Sequence, residues 1–152
     1  MKKVLILGLL CTSLTTASMA NASDEPVPGQ KIPSTQLAEW GDLPTYRIDR
    51  SVFRVLPVRA GDPGLTLLVN GQGVVGASRN EVTIGKVDAG TARSTLQQFV
   101  PQPLSITYFE QAGVTVARYA DFKQAHDAFQ ALREAMPDAQ IRLPVNFGQV
   151  PY

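Results

Sequence analysis

The chain has 152 residues, of which 44% are hydrophobic, and its 14 Lys and Arg against 13 Asp and Glu give a net charge of +1. A nearly neutral chain offers no electrostatic argument for binding nucleic acid or an anionic membrane surface, so we expect neither partner. Its single cysteine, Cys11, lies within the first 22 residues, which are predicted to be removed as a signal peptide. The remaining chain is therefore expected to have no disulfide framework, no cysteine nucleophile and no thiolate metal site.

The first 22 residues are predicted to be a secretory signal peptide. Lys2 and Lys3 form a basic start, residues 4–10 are apolar, and small residues surround the expected cleavage site after Ala22. The apolar run is far shorter than the roughly 20 residues that a membrane-spanning helix needs. We therefore expect an exported protein that is free of the membrane after cleavage.

Residues 23–50 are predicted to be an N-terminal extension. The segment SDEPVPGQKIPSTQLAEWGDLPT has four prolines and no sustained helix or strand period, which predicts an extended segment that is largely disordered in the free protein. Leu37, Trp40 and Leu43 are spaced three apart, so one helical turn would place them on a single apolar edge. These three side chains are expected to contact a partner if the extension orders on one; a plain linker is the alternative.

Residues 51–143 are predicted to form the central body. The body opens with the β-rich stretch SVFRVLPVR, and Asn70-Gly71 marks a hairpin between two apolar runs that follow. Asp88 and Asp121 stand where helix N-caps are expected. From residue 80 onward the predicted elements are, in order, strand NEVTIGKV, helix AGTARSTLQQFV, strands LSITYFE and VTVARYA, helix FKQAHDAFQALREAM and strand AQIRLPV.

This order predicts an α+β fold. Strand, helix, strand, strand, helix, strand is the order of a ferredoxin-like split βαββαβ sandwich, with one antiparallel sheet and both helices on one face. The strands before residue 80 are additional to that unit, and either extend its sheet or leave its second face open as a docking surface. Residues 144–152, PVNFGQVPY, follow as an extended, uncharged C-terminal tail with prolines near both ends.

The pattern of polar residues does not indicate catalysis. The sole histidine, His126, adjoins the apolar stripe of a predicted helix, and no Gly-x-Ser-x-Gly turn is present. Carboxylates are scattered rather than paired, and no His, Asp and Glu cluster has metal-ligand spacing. We therefore expect a protein that is not an enzyme and that has no cofactor and no metal site.

One short motif favours an alternative. QGVVG, from Gln72 to Gly76, fits the Gln-x-Val-x-Gly loop of cystatins, which inhibit cysteine proteases. The pattern fixes three common residues, and a cystatin has a long helix where this chain has SVFRVLPVR. A cystatin-like inhibitor therefore stays an alternative to a simple glycine-rich hairpin.

An exported small α+β domain with no catalytic groups and an extended tail resembles the propeptides of subtilisin-like serine proteases. With its own signal peptide and no protease domain, the chain is similar to the external chaperones of propeptide-deficient, kexin-like subtilases. That resemblance implies a 1:1 heterodimer with the protease, assisted folding of the protease, and inhibition by a tail that lies in the active-site cleft as a product mimic. It also implies a periplasmic location, or secretion together with the protease.

The resemblance also assigns roles to tail residues. Tyr152 is expected in the first specificity pocket, although a kexin-like protease would favour a basic residue there. Pro151 lacks an N–H and holds its neighbour extended, which lowers the ordering cost of binding. The residues expected in the cleft are Asn146, Phe147, Gly148, Gln149, Val150, Pro151 and Tyr152.

Two further contacts follow from the resemblance. In subtilisin propeptides, acidic residues that directly follow the last strand of the propeptide cap the N-termini of two protease helices. At the matching place this chain has Asn146. Asn146 and Glu110 are therefore the candidates for helix-capping contacts. A periplasmic adaptor with no protease partner, whose tail adds a strand to another protein's sheet, is the remaining alternative.

Overall fold

The computed structural model describes residues 25–148, apart from the side chain of Arg59. The predicted signal peptide and the tail residues 149–152 lie outside this range. Within it the chain is α+β, with two four-stranded antiparallel sheets and three α-helices. The prediction of the α+β class is therefore confirmed.

The first sheet contains the strands whose place the sequence left open. The strands are Thr45–Ile48 (β1), Ser51–Arg59 (β2), Thr66–Asn70 (β3) and Val75–Ser78 (β4). Their order in the sheet is β1-β2-β3-β4, and each neighbouring pair is antiparallel. The Asn70 side chain closes the β3–β4 turn, since its Oδ1 accepts from the N–H of Gln72 at 2.9 Å and of Val74 at 3.0 Å.

The second sheet follows the predicted element order. Its elements are Glu81–Gly85 (β5), Ala89–Leu96 (α2), Ser105–Phe109 (β6), Val114–Arg118 (β7), Phe122–Ala135 (α3) and Gln140–Arg142 (β8). The sheet order is β6-β7-β5-β8, and all neighbours are antiparallel. Both expected caps are present, because Asp88 accepts from Thr91 N at 2.9 Å and Asp121 from Gln124 N at 2.8 Å.

The main core lies between the second sheet and its helices. Alternate residues of β5, Val82 and Ile84, are fully buried, as is Ala117 of β7. Phe129 and Leu132 of α3 pack against them in one cluster, which also contains Ala92 and Leu96 of α2. Both helices therefore cover the same face of the sheet, because side chains alternate between the two faces of each strand.

The first sheet packs against apolar clusters on both of its faces. One face joins the main core, where Tyr46 lies edge-on against Phe122 of α3 with ring centroids 5.3 Å apart. The other face carries Leu67 and Val69, which form a second cluster with Ile32. Continuous apolar stretches in β3 reflect this two-sided burial.

The N-terminal extension differs from the expectation of a largely disordered segment. Residues 25–44, which we call the arm, lie along the first sheet and include the short helix Ser34–Glu39 (α1). Composition alone favoured disorder, but Ile32 and Leu37 are 2% and 7% exposed and supply the apolar contacts that hold the arm.

Candidate functional site

The beginning of the tail is bound to the body. Asn146 exchanges two backbone hydrogen bonds with Ala77 of β4, both 2.8 Å long. Phe147 stacks on Phe53 of β2, with ring centroids 6.2 Å apart and planes inclined by 29°. We call residues 144–148 the tail root. The expectation that Asn146 and Phe147 enter a partner's cleft therefore differs from the structure, in which both residues are engaged by their own chain.

Gly76 makes this close approach possible. A Cβ atom at this position would lie 2.6 Å from Val145 Cγ1 and 3.0 Å from Phe147 Cε1. Real Cβ atoms do not come so near to other side chains, because interiors are close-packed. The glycine that the sequence interpretation placed in a cystatin-type loop is thus the surface on which the tail root packs.

The arm occupies the remainder of the same strand edge. Val75 N donates to Gln30 O and Gly29 N donates to Val75 O, each at 2.8 Å. Gly29 has φ of 89°, and a Cβ there would lie 2.8 Å from Phe147 O, so the arm and the tail root are in direct contact. The outer edge of β4 is therefore covered by two segments that are far apart in sequence.

The three arm residues proposed to contact a partner are used inside the chain. Leu37 is buried in the cluster on the outer face of the first sheet, and Trp40 and Leu43 are partly buried against that cluster. The three residues do not share one helical edge, because α1 ends at Glu39 and only Leu37 lies within it, but all three pack against the same cluster of the chain's own first sheet.

The second sheet has an uncovered face on the side away from its helices. Thr83, Val116 and Thr107 form one row across β5, β7 and β6, with Arg142 of β8 next to Thr83. Phe109, half exposed at 51%, adds an aromatic side chain at the β6 edge. The face is therefore mixed in character, with a centre of Val and Thr and charges towards its borders.

One border of this face carries an ion pair. Arg118 Nη2 lies 2.7 Å from Glu81 Oε1, and the two residues are directly paired across β5 and β7. Both side chains stay partly exposed to solvent. The pair orders that end of the face and contributes at most about 1 kcal/mol to stability.

The two candidate capping residues lie at opposite ends of the second sheet. Glu110 is exposed and directly follows β6 at the end where Gly85 closes β5. Asn146 follows β8 at the other end, beyond Arg142. The length of β5, about 13 Å at 3.3 Å per residue, separates them. Asn146 Oδ1 also accepts from Gly148 N at 2.9 Å, so its acceptor is already in use.

The cystatin-like motif is only partly accessible. Gln72 is exposed at the tip of the β3–β4 turn. Gly73 and Gly76 are buried, the first beneath Ile32 O of the arm and the second beneath the tail root. A wedge that requires both ends of the motif is therefore not presented on the surface.

Arg79 and Glu81 line a shallow pocket together with Asn146 of the tail root, and the other titratable groups that the structure describes lie elsewhere. Half-buried His126 lies with Nε2 3.0 Å from Arg47 O and its ring against Tyr46, at the contact between α3 and the first sheet. Burial raises the pKa of Tyr119 to about 12. A hydrogen bond to the Asp127 carboxylate raises the pKa of Lys123. Over residues 25–148, no three His, Cys, Asp or Glu side chains lie close enough together to hold a metal ion.

Among residues 25–148, none of the helices has the length and apolar character required to cross a bilayer.

No protein-family model matches the chain, and neither a curated protein nor a solved structure is detectably similar to it. The geometry of the tail root, the β4 edge and the uncovered face is therefore the basis for the functional argument.

Proposed function

We propose that this protein is a secreted external chaperone and inhibitor of a subtilisin-like, kexin-like serine protease. It binds the protease as a 1:1 heterodimer and places residues 149–152 in the active-site cleft as a product mimic. The observation that carries the proposal is the tail root, which is fixed to the body at Asn146 and Phe147 and so gives residues 149–152 an anchored starting point.

We further propose that the second sheet and its helices are a ferredoxin-like split βαββαβ unit. The order β6-β7-β5-β8 supports this, because each strand–helix–strand unit has one strand of the other unit between its own two strands. The location of α2 and α3 on a single face of the sheet is also consistent with this fold.

Anchoring the tail root favours inhibition. Since residues up to Phe147 are already held by the body, ordering them adds no entropic cost when the tail binds a protease. Four residues in extended conformation span at most about 14 Å, which suits a segment that crosses a protease cleft from a fixed point at its border. Backbone hydrogen bonds in such strand addition give affinity, and alternate side chains fill pockets.

The uncovered sheet face is proposed to dock on the protease surface. Its central Val116 and Thr83 are small and lack charge, so helices of a partner can approach closely without leaving a buried ion unpaired. Arg142 and the Arg118–Glu81 pair then form a polar rim. Both capping candidates are exposed, but Asn146 Oδ1 already accepts from Gly148 N, whereas Glu110 also carries the negative charge that a helix N-terminus favours.

Chaperoning follows from the same contacts. A partner that binds the native protease and not the unfolded chain stabilises the native state by mass action. If the docking face also fits the folding transition state, it raises the folding rate. Tight binding then inhibits the folded protease until the chaperone is removed.

The test is to co-refold a candidate subtilase with and without this protein and to measure both activity and complex formation. Deleting residues 149–152 should raise the inhibition constant at least about 100-fold, which corresponds to losing several backbone bonds and a pocket contact. Circular dichroism should show an unchanged fold. Glu134→Gln, at an exposed position of α3 on the side of the sheet opposite the docking face, is the control and should inhibit like the unmodified protein.

Inhibition that survives the deletion would refute the product-mimic mechanism. Val116→Arg should weaken binding while the tail is intact, because it introduces a charge at the centre of the docking face. If both variants bind and inhibit the protease normally, neither the tail nor the second-sheet face carries the interaction and the proposed mechanism fails. If the unmodified protein binds no subtilase, the adaptor alternative gains. The partial burial of the Gln72 to Gly76 motif gives no comparable support for a cystatin-like inhibitor.

A further inference from the structure

The arm occupies the position on the edge of β4 that a continuing tail would reach next. In antiparallel pairing, each step forward on one strand is a step back on the other. Asn146 is opposite Ala77, so a tail that continued along the edge would bring Gly148 opposite Val75. The N–H and C=O of Val75 are already bonded to Gln30 and Gly29 of the arm.

Two contacts turn the tail away at this point. Gly148 N donates to Asn146 Oδ1 at 2.9 Å instead of to a strand carbonyl. Gly29 lies directly against Phe147 O, and its φ of 89° together with the 2.8 Å approach admits only glycine. The outer edge of β4 therefore pairs with the tail root at Ala77 and with the arm at Val75.

We infer that Gly29 and Gln30 act as an intramolecular stop that keeps the tail from pairing with its own domain beyond Phe147. Without the stop, Gly148 forms two backbone bonds with Val75 and the tail is drawn along the β4 edge. With the stop, the N–H of Gly148 faces Asn146 and not this edge, which leaves the residues after it for strand addition to a second protein. The last consequence rests on the proposed function; the stop itself does not.

Amide hydrogen exchange of Val75 tests the stop without any partner. Gly29→Val is incompatible with both the positive φ and the contact with Phe147, so it removes the arm from the edge. We expect Val75 to stay protected in this variant, because Gly148 takes the vacated place, and to lose at least about tenfold protection when the same variant ends at Phe147. Gly41→Val is the matched control, since Gly41 also has positive φ, at 67°, but has no neighbour within 4 Å.

Equal Val75 exchange in the Gly29→Val chains with and without residues 148–152 would overturn the inference. If Gly29→Val weakens the whole fold, as shown by faster exchange at Ile84 in the main core, a chain that begins at Lys31 replaces it, and the same comparison decides. Inhibition of the protease is measured separately and should weaken about tenfold in Gly29→Val. Unchanged inhibition together with the expected exchange pattern would count against the proposed function and leave the stop in place.

Discussion

Replacing Gly76 with alanine should reveal how tightly the tail root is held. The added Cβ would lie 2.6 Å from Val145 Cγ1 and 3.0 Å from the Phe147 ring, so these side chains must move away from β4. Moving Phe147 also disturbs its stacking on Phe53. We expect Gly76→Ala to destabilise the full-length protein and to release the tail root.

The change in the free energy of unfolding caused by Gly76→Ala combines two opposing contributions. Overpacking a closely packed site costs about 1–3 kcal/mol. Replacing a glycine whose φ is not positive with alanine restricts the unfolded chain, which stabilises the native state by about 0.4–1 kcal/mol. The net destabilisation should be about 1–2 kcal/mol. In a chain that ends at Pro144 the clashing side chains are absent, so the same substitution should stabilise by about 0.5 kcal/mol.

Urea unfolding, followed by circular dichroism and by the fluorescence of the sole tryptophan, Trp40, measures both effects. With a slope of about 1.5 kcal/mol per molar urea, the midpoint should fall by roughly 1 M in the full-length protein and rise by roughly 0.3 M in the shortened one. The change of sign is the decisive result. If Gly76→Ala destabilises both chains equally, the strain does not come from the tail root and the reasoning is refuted.

Two further predictions concern the arm and the core. Leu37→Ala should destabilise the protein by about 2–4 kcal/mol, because it leaves a cavity in a buried site under the arm. The control Thr35→Ala, at an exposed position, should change stability by less than about 0.5 kcal/mol. If urea unfolding shows an equally small effect for Leu37→Ala, the arm is not packed as described. Burial raises the pKa of Tyr119 to about 12 from an ordinary 10.0, so the native state keeps a proton that the unfolded chain loses, and stability should fall as pH rises between these values. Tyr119→Phe should remove up to about 1.4 kcal/mol per pH unit of that slope, and an identical slope in both proteins between pH 10 and 12 would contradict the assignment.

Local sequence signals predicted most of the second half of the chain. Asp88 and Asp121 cap the helices as expected, and the Asn70-Gly71 signal marks the hairpin. Each of these features depends on a few neighbouring residues, whose preferences are visible in the sequence. The predicted helix after Asp88 extended to Val100, but α2 ends at Leu96, since element ends depend on weak local preferences.

The tail root and the arm could not be predicted in the same way. A single bridge such as that between Asn146 and Ala77 has no periodicity, and strand edges are not visible in a linear pattern. The arm has a composition typical of disorder, but a few apolar side chains, led by Ile32 and Leu37, are enough to hold it to a sheet face. Gly76 was the one usable signal, because a glycine inside a strand indicates close approach of other atoms.

The sharing of β4 by the arm and the tail root has a consequence for biosynthesis. A polypeptide emerges from the ribosome with its N-terminal part first. Gln30 can therefore bond to Val75 as soon as the first hairpin has formed, long before Asn146 has been made. The order of synthesis therefore lets the arm bond to Val75 before the tail is present. At equilibrium, without this order, the two segments would be distinguished only by their affinities for Val75. A circular permutant that delivers the tail first would lose this temporal advantage.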